Sequence, residues 1–468
     1  MKSNMRGKSL TIAYIGGGSR GWAWGFMKDL GMDPQMEGVV RLYDIDRDAA
    51  EKNRRIGEMI SAHPQAKAHW RYEVSASLRS ALTGADFVVI SILPGDFSHM
   101  RSDVQWPEKY GVWQSVGDTT GPGGLLRALR TIPMFVEIAL AIRGYAPKAW
   151  VINYTNPMTV CMETLYAVYP AIRAFGCCHE VFGTQKLLAE MLEDLEGIQD
   201  VKRQDIRTGV TGINHFTFLY SAGYGQTDLL PLYRRFADKY CDTGFLKGKD
   251  DNWMNNQFEC SHRVKFDLFR RYGLIAAAGD RHLAEFMPPW YLKDPQTALG
   301  WGFSLTPVDW READLAMRLR KREALLSGSQ PLDMKASGEE GHLLIKALLG
   351  LGDLVSNVNI PNRGQIPNLP EDAVVEINAF FSRDAITPMY SGRLPAGLDA
   401  LVCRHALNQL STVKAAMACD WDLALAVLLN DPLMSRVDPM DAQRMLGEMI
   451  GNTIGILPEG WRQHGRIS

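Results

Sequence analysis

Short runs of apolar and β-branched residues alternate with longer amphipathic stretches through the first part of the chain. Residues 11–15 form such a run; Gly16-Gly17-Gly18-Ser19-Arg20-Gly21 follows, and the pattern predicts a helix over 22–30. A second strand, 39–43, stops at Asp44, and Asp46 is placed to cap a helix that carries Ala49, Ala50 and Ile56. Residues 87–93 and 150–153 are nearly unbroken apolar runs, which a parallel sheet buries on both faces. This alternation predicts an α/β fold, a Rossmann-type doubly wound sheet over residues 1–180. Residues 181–468 read differently, with a strand-like stretch at 207–220 and long helical segments at 307–326 and 339–351, so a C-terminal α+β domain is expected. The only linker-like stretch is 326–330.

Composition narrows the class of protein. The 468 residues carry 51 Lys+Arg against 53 Asp+Glu, a net charge of −2, which excludes binding driven by counterion release from nucleic acid. The best apolar run, 133–142, is interrupted by Glu137 and followed by Arg143, so no membrane span is expected. The N-terminal apolar run is too short for the core of a secretory leader. Seven cysteines, an odd number without framework spacing, fit reduced thiols, and a cytoplasmic protein is expected.

Gly16, Gly18 and Gly21 satisfy the dinucleotide spacing, in which glycines allow a tight turn and close approach of a pyrophosphate to the helix N-terminus. Asp44, at the end of the next strand, suits the two hydroxyls of an adenosine ribose and favours NAD over NADP. The alternative is a glycine turn that binds nothing or another nucleotide. The turns Leu93-Pro94-Gly95 and Asn153-Tyr154-Thr155-Asn156-Pro157 end buried strands and are expected to face the cofactor's reactive end, unless they serve only as strand terminators.

Gly176-Cys177-Cys178-His179-Glu180-Val181 is unusual. No CxxC pair exists, so a closed zinc site is not expected. An open site built from one thiolate and one imidazole of separate segments, Cys178 and His215, would polarise a substrate oxygen; otherwise His215 is a satisfied core histidine in a strand-like context. Gly279-Asp280-Arg281-His282-Leu283-Ala284-Glu285-Phe286 packs four ionisable side chains into six positions, either as a site or as a surface ion-pair cluster. Residues 117–124, Gly-Asp-Thr-Thr-Gly-Pro-Gly-Gly, read as a flexible loop or lid, and 357–362 as a loop without a role.

Taken together, IGGGS at 15–19, GDTTGPGG at 117–124, NYTNPM at 153–158, CHEV at 178–181, INHF at 213–216 and GDRHLAEF at 279–286 resemble the NAD-dependent family 4 glycoside hydrolases. The resemblance implies a lactate/malate-dehydrogenase-like fold, tightly bound NAD and a divalent metal, commonly Mn2+. It also implies a redox-neutral mechanism: oxidation at C3 of the sugar, loss of the C2 proton with elimination of the C1 aglycone, addition of water, and re-reduction. Gly16, Gly18, Gly21, Asp44 and Asn153 would hold NAD, and Cys178 and His215 the metal. His179 would assist the leaving group, and Asn156 and Glu180 would contact the sugar. The base is Asp280 first and His282 second; the phosphosugar-cleaving branch uses a tyrosine, absent from GDRHLAEF, which argues against a 6-phosphoglycoside.

CHEV resembles the α-galacturonidase version of the motif, so the expected partner is a small uronic-acid glycoside, with Arg281 gripping the planar carboxylate unless it pairs with Glu285 one helical turn on. A homo-oligomer, dimer or tetramer, is expected, with 181–468 as the substrate/metal-binding and oligomerisation domain and Asn156, Cys178, His179 and Glu180 reaching the site from the first domain. The alternatives are an α-glucosidase or α-galactosidase of the same family, a 2-hydroxy acid dehydrogenase-like oxidoreductase, and a non-catalytic NAD-binding protein.

Overall fold

The computed structural model describes residues 9–246 and 260–462. Its first six strands, β1 (Leu10–Ile15), β2 (Gly38–Tyr43), β3 (Trp70–Val74), β4 (Phe87–Ile90), β5 (Trp150–Asn153) and β6 (Arg173–Gly176), pair in parallel in the order 3-2-1-4-5-6. This is the doubly wound Rossmann order, and the strand order reverses between β1 and β4, which places a ligand crevice at their carboxyl ends. The predicted strand over 87–93 stops at Ile90; the Ser91 N–H still reaches the Ile15 carbonyl (2.9 Å), but the Ile92 N–H is taken by the Thr155 hydroxyl (3.0 Å) rather than by a neighbouring strand. Asp46 caps the Arg47–Ala62 helix as expected, accepting from the Ala49 N–H.

The sheet does not end at β6. Strands β11 (Leu354–Pro361), β12 (Val374–Ser382) and β13 (Ala385–Pro388) extend it antiparallel to nine strands, drawing on both sides of residue 180. Residues 357–361, read above within the loop 357–362, are therefore strand; three asparagines and a proline in 357–362 obscured an apolar alternation in which Val358 and Ile360 are buried.

A second, antiparallel sheet comprises β7 (Ile206–Ile213), β8 (Phe216–Tyr224), β9 (Thr227–Asp228) and β10 (Ile275–Ala276). The stretch expected to run unbroken over 207–220 is a hairpin, reversing through Asn214 and His215, with Ile213 opposite Phe216. The Val210 N–H donates to the Asn378 side chain (2.7 Å), joining the two sheets beneath this hairpin. Among the described residues no helix is long and apolar enough to cross a membrane, and no cysteine is in a disulfide.

Candidate active site

The glycine turn is shaped from three sides. Gly16 has φ +92°, and a Cβ there would lie 1.9 Å from the Ser91 carbonyl oxygen of the neighbouring strand end. A Cβ on Gly18 would meet the Asp44 carboxylate at 2.9 Å, and the Gly18 N–H already donates to that carboxylate (2.8 Å). Asn53, not singled out from sequence, is fully buried below: its amide donates to the carbonyls of Gly17 and Ser19, and its oxygen accepts from the Trp24 indole (2.7 Å). Such a cradle leaves its outer surface to backbone N–H groups, which fits a dinucleotide pyrophosphate. Asp44 uses one lone pair of each oxygen on Gly18 and Asp46 N–H groups, keeping others for ribose hydroxyls.

The two strand-end turns are bolted together by the Ile92–Thr155 contact. Asn153, expected at the cofactor, is spent inside the turn, donating to the Thr155 carbonyl and accepting the Thr155 N–H. Its burial and saturation make it a strand-end lock rather than a cofactor ligand. Asn156 sits differently: its peptide bond to Pro157 is cis, its carbonyl accepts from Arg127 Nε (3.1 Å), and its side-chain oxygen is buried without a partner.

The reacting groups gather on the hairpin tip. His215 occupies a left-handed backbone conformation (φ +64°), unusual for a non-glycine residue and a pointer to function. Its ring lies 3.8 Å from that of His282, and ligand atoms of Asp118, His215 and His282 fall within 4.8 Å of one another. Burial, aided by His282, pushes His215 down to about 3, so it is a neutral imidazole; Thr119 Oγ1 holds its Nδ1 at 2.8 Å. Burial opposes ionisation of Asp118 and Glu180, but the nearby His282, with Arg127 at Asp118, holds both carboxyls at about 2. Glu180 accepts from the Gly279 N–H (2.7 Å) and approaches His282 Nε2 at 3.8 Å, while His282 Nδ1 is buried without a partner. The neutral imidazole of His215 and the ionised carboxylate of Asp118 beside it suit a divalent cation of the Mn2+ type, and the unpartnered His282 nitrogen next to them is left for proton transfer.

Cys178 is outside that three-residue group. It lies beside the same hairpin, in reach of the Asn214 side chain and the Glu180 N–H, and burial with Glu376 and Glu180 nearby pushes its thiol well up. Glu376, a buried residue that sequence reading passed over, anchors this floor by accepting from Asn357, Thr217 and Asn214. Asn357, from the stretch given no role, also donates to the Cys178 carbonyl (3.1 Å). His179 is exposed, 3.6 Å from Glu339, with its ring 5.7 Å from that of Trp22.

Two expectations fail on geometry. Asp280 is fully buried and its oxygens accept the N–H groups of Val264 and Lys265, capping the Arg263–Tyr272 helix beside Cys260 and His262, so both oxygens are engaged with backbone. Arg281 is buried too, its Nε and Nη2 committed to the carbonyls of Ser304 and Ser115 and to Thr306, so it braces two loops instead of presenting a free fork to a carboxylate. Nor is the motif a surface ion-pair cluster: Glu285, in the same helix Asp280–Glu285, is buried and accepts from the Val116 and Gly117 N–H groups. Those bonds, with Gln114 and Asp431 holding Gly123 and Gly121, fix the 117–124 segment, and the expected flexible lid is a packed turn that delivers Asp118. Asp118 was visible in sequence as the one ionisable residue of that segment.

Burial pushes Glu285 up to about 8, against the pull of its two N–H donors. Its folded pKa exceeds its unfolded one, so the stability it allows below pH about 4.5 is lost as pH rises towards 8. Glu285→Gln, which keeps the acceptor, should gain on the parent protein in thermal unfolding between pH 5 and 8 and hold a constant advantage above; a gap that does not move with pH counts against this.

Fold and site define a Rossmann-type enzyme whose reacting groups are histidines and carboxylates beside a dinucleotide-type turn. The chain belongs to glycosyl hydrolase family 4: the family 4 glycosyl hydrolase profile matches residues 11–194 and that of the family's C-terminal domain matches 210–434. It is 56% identical over 454 residues to the alpha-galacturonidase of Thermoanaerobacterium saccharolyticum, covering 97% of each chain. The crystal structure of lplD from Bacillus subtilis superposes with a TM-score of 0.89 at 51% identity, covering 94% of this chain and 99% of that one. A 6-phospho-alpha-glucosidase from gut microorganisms, solved with NAD and Mn2+, shares the fold at 21% identity and TM-score 0.79, covering 97% of this chain and 100% of that one.

Proposed function

We propose that the protein hydrolyses α-linked galacturonides, with NAD on the glycine turn and a divalent cation of the Mn2+ type among His215, Cys178 and Asp118. The observation that carries this reading is the Asp118–His215–His282 group set beside a dinucleotide cradle; the near-full-length identity to an alpha-galacturonidase supports the uronide. When bound, NAD supplies a reversible hydride acceptor for C3 of the sugar and the cation a Lewis acid for the sugar oxygens.

The chain's own residues do the rest. His282 takes the C2 proton, its ring oriented by His215 and Glu180. His179, exposed at the start of the Glu180–Glu196 helix, donates a proton to the departing oxygen at C1. Asn156 offers its unpaired side-chain oxygen to a sugar hydroxyl. Because the elimination passes through C2 and C3, no pair of carboxylates flanking C1 is required. A homo-oligomer belongs to the same reading, supported by the exposed pair Val355 and Phe380 opposite each other on β11 and β12, as does a reducing compartment that keeps the Cys178 thiol intact.

Nitrophenyl α-galacturonide should be cleaved in the presence of NAD and Mn2+ without net NADH, and activity should vanish on chelation and return with metal. Equal or faster cleavage of the neutral nitrophenyl α-galactoside would overturn the uronide assignment, and stoichiometric NADH without aglycone release would overturn hydrolysis altogether.

A further inference from the structure

The Val308–Leu326 helix, from the second half of the chain, lies across the dinucleotide crevice rather than against its own half alone. Near its start, Asp309 and Glu312 meet Arg101 at 2.7 and 3.1 Å; Arg101 belongs to the Phe97–Gln105 helix that follows the β4 turn. Near its end, Glu323 meets Lys52 at 3.2 Å, on the helix that follows Asp44. Fourteen residues of helix separate these tethers, about 20 Å at 1.5 Å per residue, so the helix bridges both flanks of the glycine turn. Between the tethers stands Arg318: its Nε donates to Asp314 (2.8 Å), which orients the guanidinium, and Nη1 reaches to 2.7 Å from where a Cβ on Gly21 would be.

That position matters because the turn has little positive charge of its own. A pyrophosphate seated there carries two negative charges; the first turn of the Trp22–Met32 helix has no basic side chain, and Arg20 is paired with Asp46 at 3.2 Å. A planar guanidinium is the group best matched to a phosphate's paired oxygens.

We infer that Arg318 is a ligand of the dinucleotide pyrophosphate, and that the Val308–Leu326 helix is a strap that lies over the bound cofactor. This rests on the NAD reading above and extends it to a residue outside the glycine motif. Val308 and Leu325 are buried and seat the helix on the core, and the surface ion pairs at both ends, individually weak, only trim its position over the turn. A cofactor regenerated within each turnover has no need to leave, and a residue that slows its escape serves that economy.

The test is binding, not turnover. NAD, ADP-ribose and adenosine are titrated calorimetrically, adenosine also by displacement, into the full-length protein and its Arg318→Gln and Arg318→Lys variants. The Gln variant should bind NAD and ADP-ribose about ten- to a hundredfold more weakly, the span expected for losing a charge-assisted hydrogen bond, with NAD dissociating correspondingly faster. The Lys variant should recover part of the loss, and adenosine, which lacks phosphate, should bind all three proteins alike. An equal loss for adenosine would show that Arg318 only packs the helix, and unchanged NAD affinity in both variants would show that it does not touch the cofactor; either overturns the inference. Failure of the parent protein to bind NAD at all would overturn the NAD reading and this inference together.

Discussion

Replacing His282 with glutamine is expected to lower kcat by about 10²- to 10⁴-fold, the range for removing a general base, while NAD affinity changes by less than about twofold. The imidazole sits against His215, 3.8 Å from Glu180, with one buried nitrogen uncommitted; glutamine keeps the polarity and cannot take a proton. Product formed in heavy water reports the step directly: the parent enzyme should place deuterium at C2, and the variant should do so at a rate reduced in step with kcat. Asp280→Asn is the matched control. Its carboxylate caps a helix, so the substitution should cost thermal stability and spare exchange. A folded Asp280→Asn protein that loses exchange more severely than His282→Gln would return the base role to Asp280.

The largest effect on stability should come from Asp103→Ala. Asp103 and Arg130 form a two-pronged pair in which the side chains are 4% and 2% exposed, joining the Phe97–Gln105 helix to the Gly121–Tyr145 helix, with Thr453 at the margin. Burial pushes the Asp103 carboxyl up and Arg130 pulls it back, so neither charge is comfortable alone. Removing one partner strands the other, a loss of about 3–5 kcal/mol, whereas replacing both with Leu and Met should be near neutral. Urea midpoints of the three proteins distinguish the cases; a double variant as unstable as Asp103→Ala would mean that shape, not charge, dominates there.

How far the sequence reveals this protein depends on whether a feature is local. Four of the six parallel strands, the Asp46 cap and the cradle around Gly16 and Gly18 follow from short-range patterning, and the structure places them within a few residues of expectation, whereas β3 and β6 were not anticipated. Residues 357–361 were illegible because their partners lie far off in the chain: Asn359 pairs with Gly176 on β6, and the Asn357 side chain is spent on Glu376 and the Cys178 carbonyl in the floor of the site. The site followed the same rule. His215 and His282 were identifiable as chemically capable, but which neighbour of His282 faces inward is a matter of helix phase. Asp280 and Arg281 flank it, and both turn to backbone groups that sequence does not display. Asp118 itself was visible, but its fixed position was not: glycines around it suggested mobility, whereas Glu285 and Asp431, distant in sequence, and the nearby Gln114 immobilise that turn.

The late antiparallel strands of the large sheet also bear on how the chain is made. Until β11 leaves the ribosome, the nascent chain presents β6 as a bare edge beside an otherwise finished parallel sheet. At 5–20 residues per second that interval lasts on the order of ten seconds or more, long enough for an unpaired edge to recruit a wrong strand. Glycine at 176 and the short span of β6, four residues, offer a poor template during the wait. Truncated forms ending before residue 354 should therefore be chaperone clients and not free-standing cofactor-binding domains.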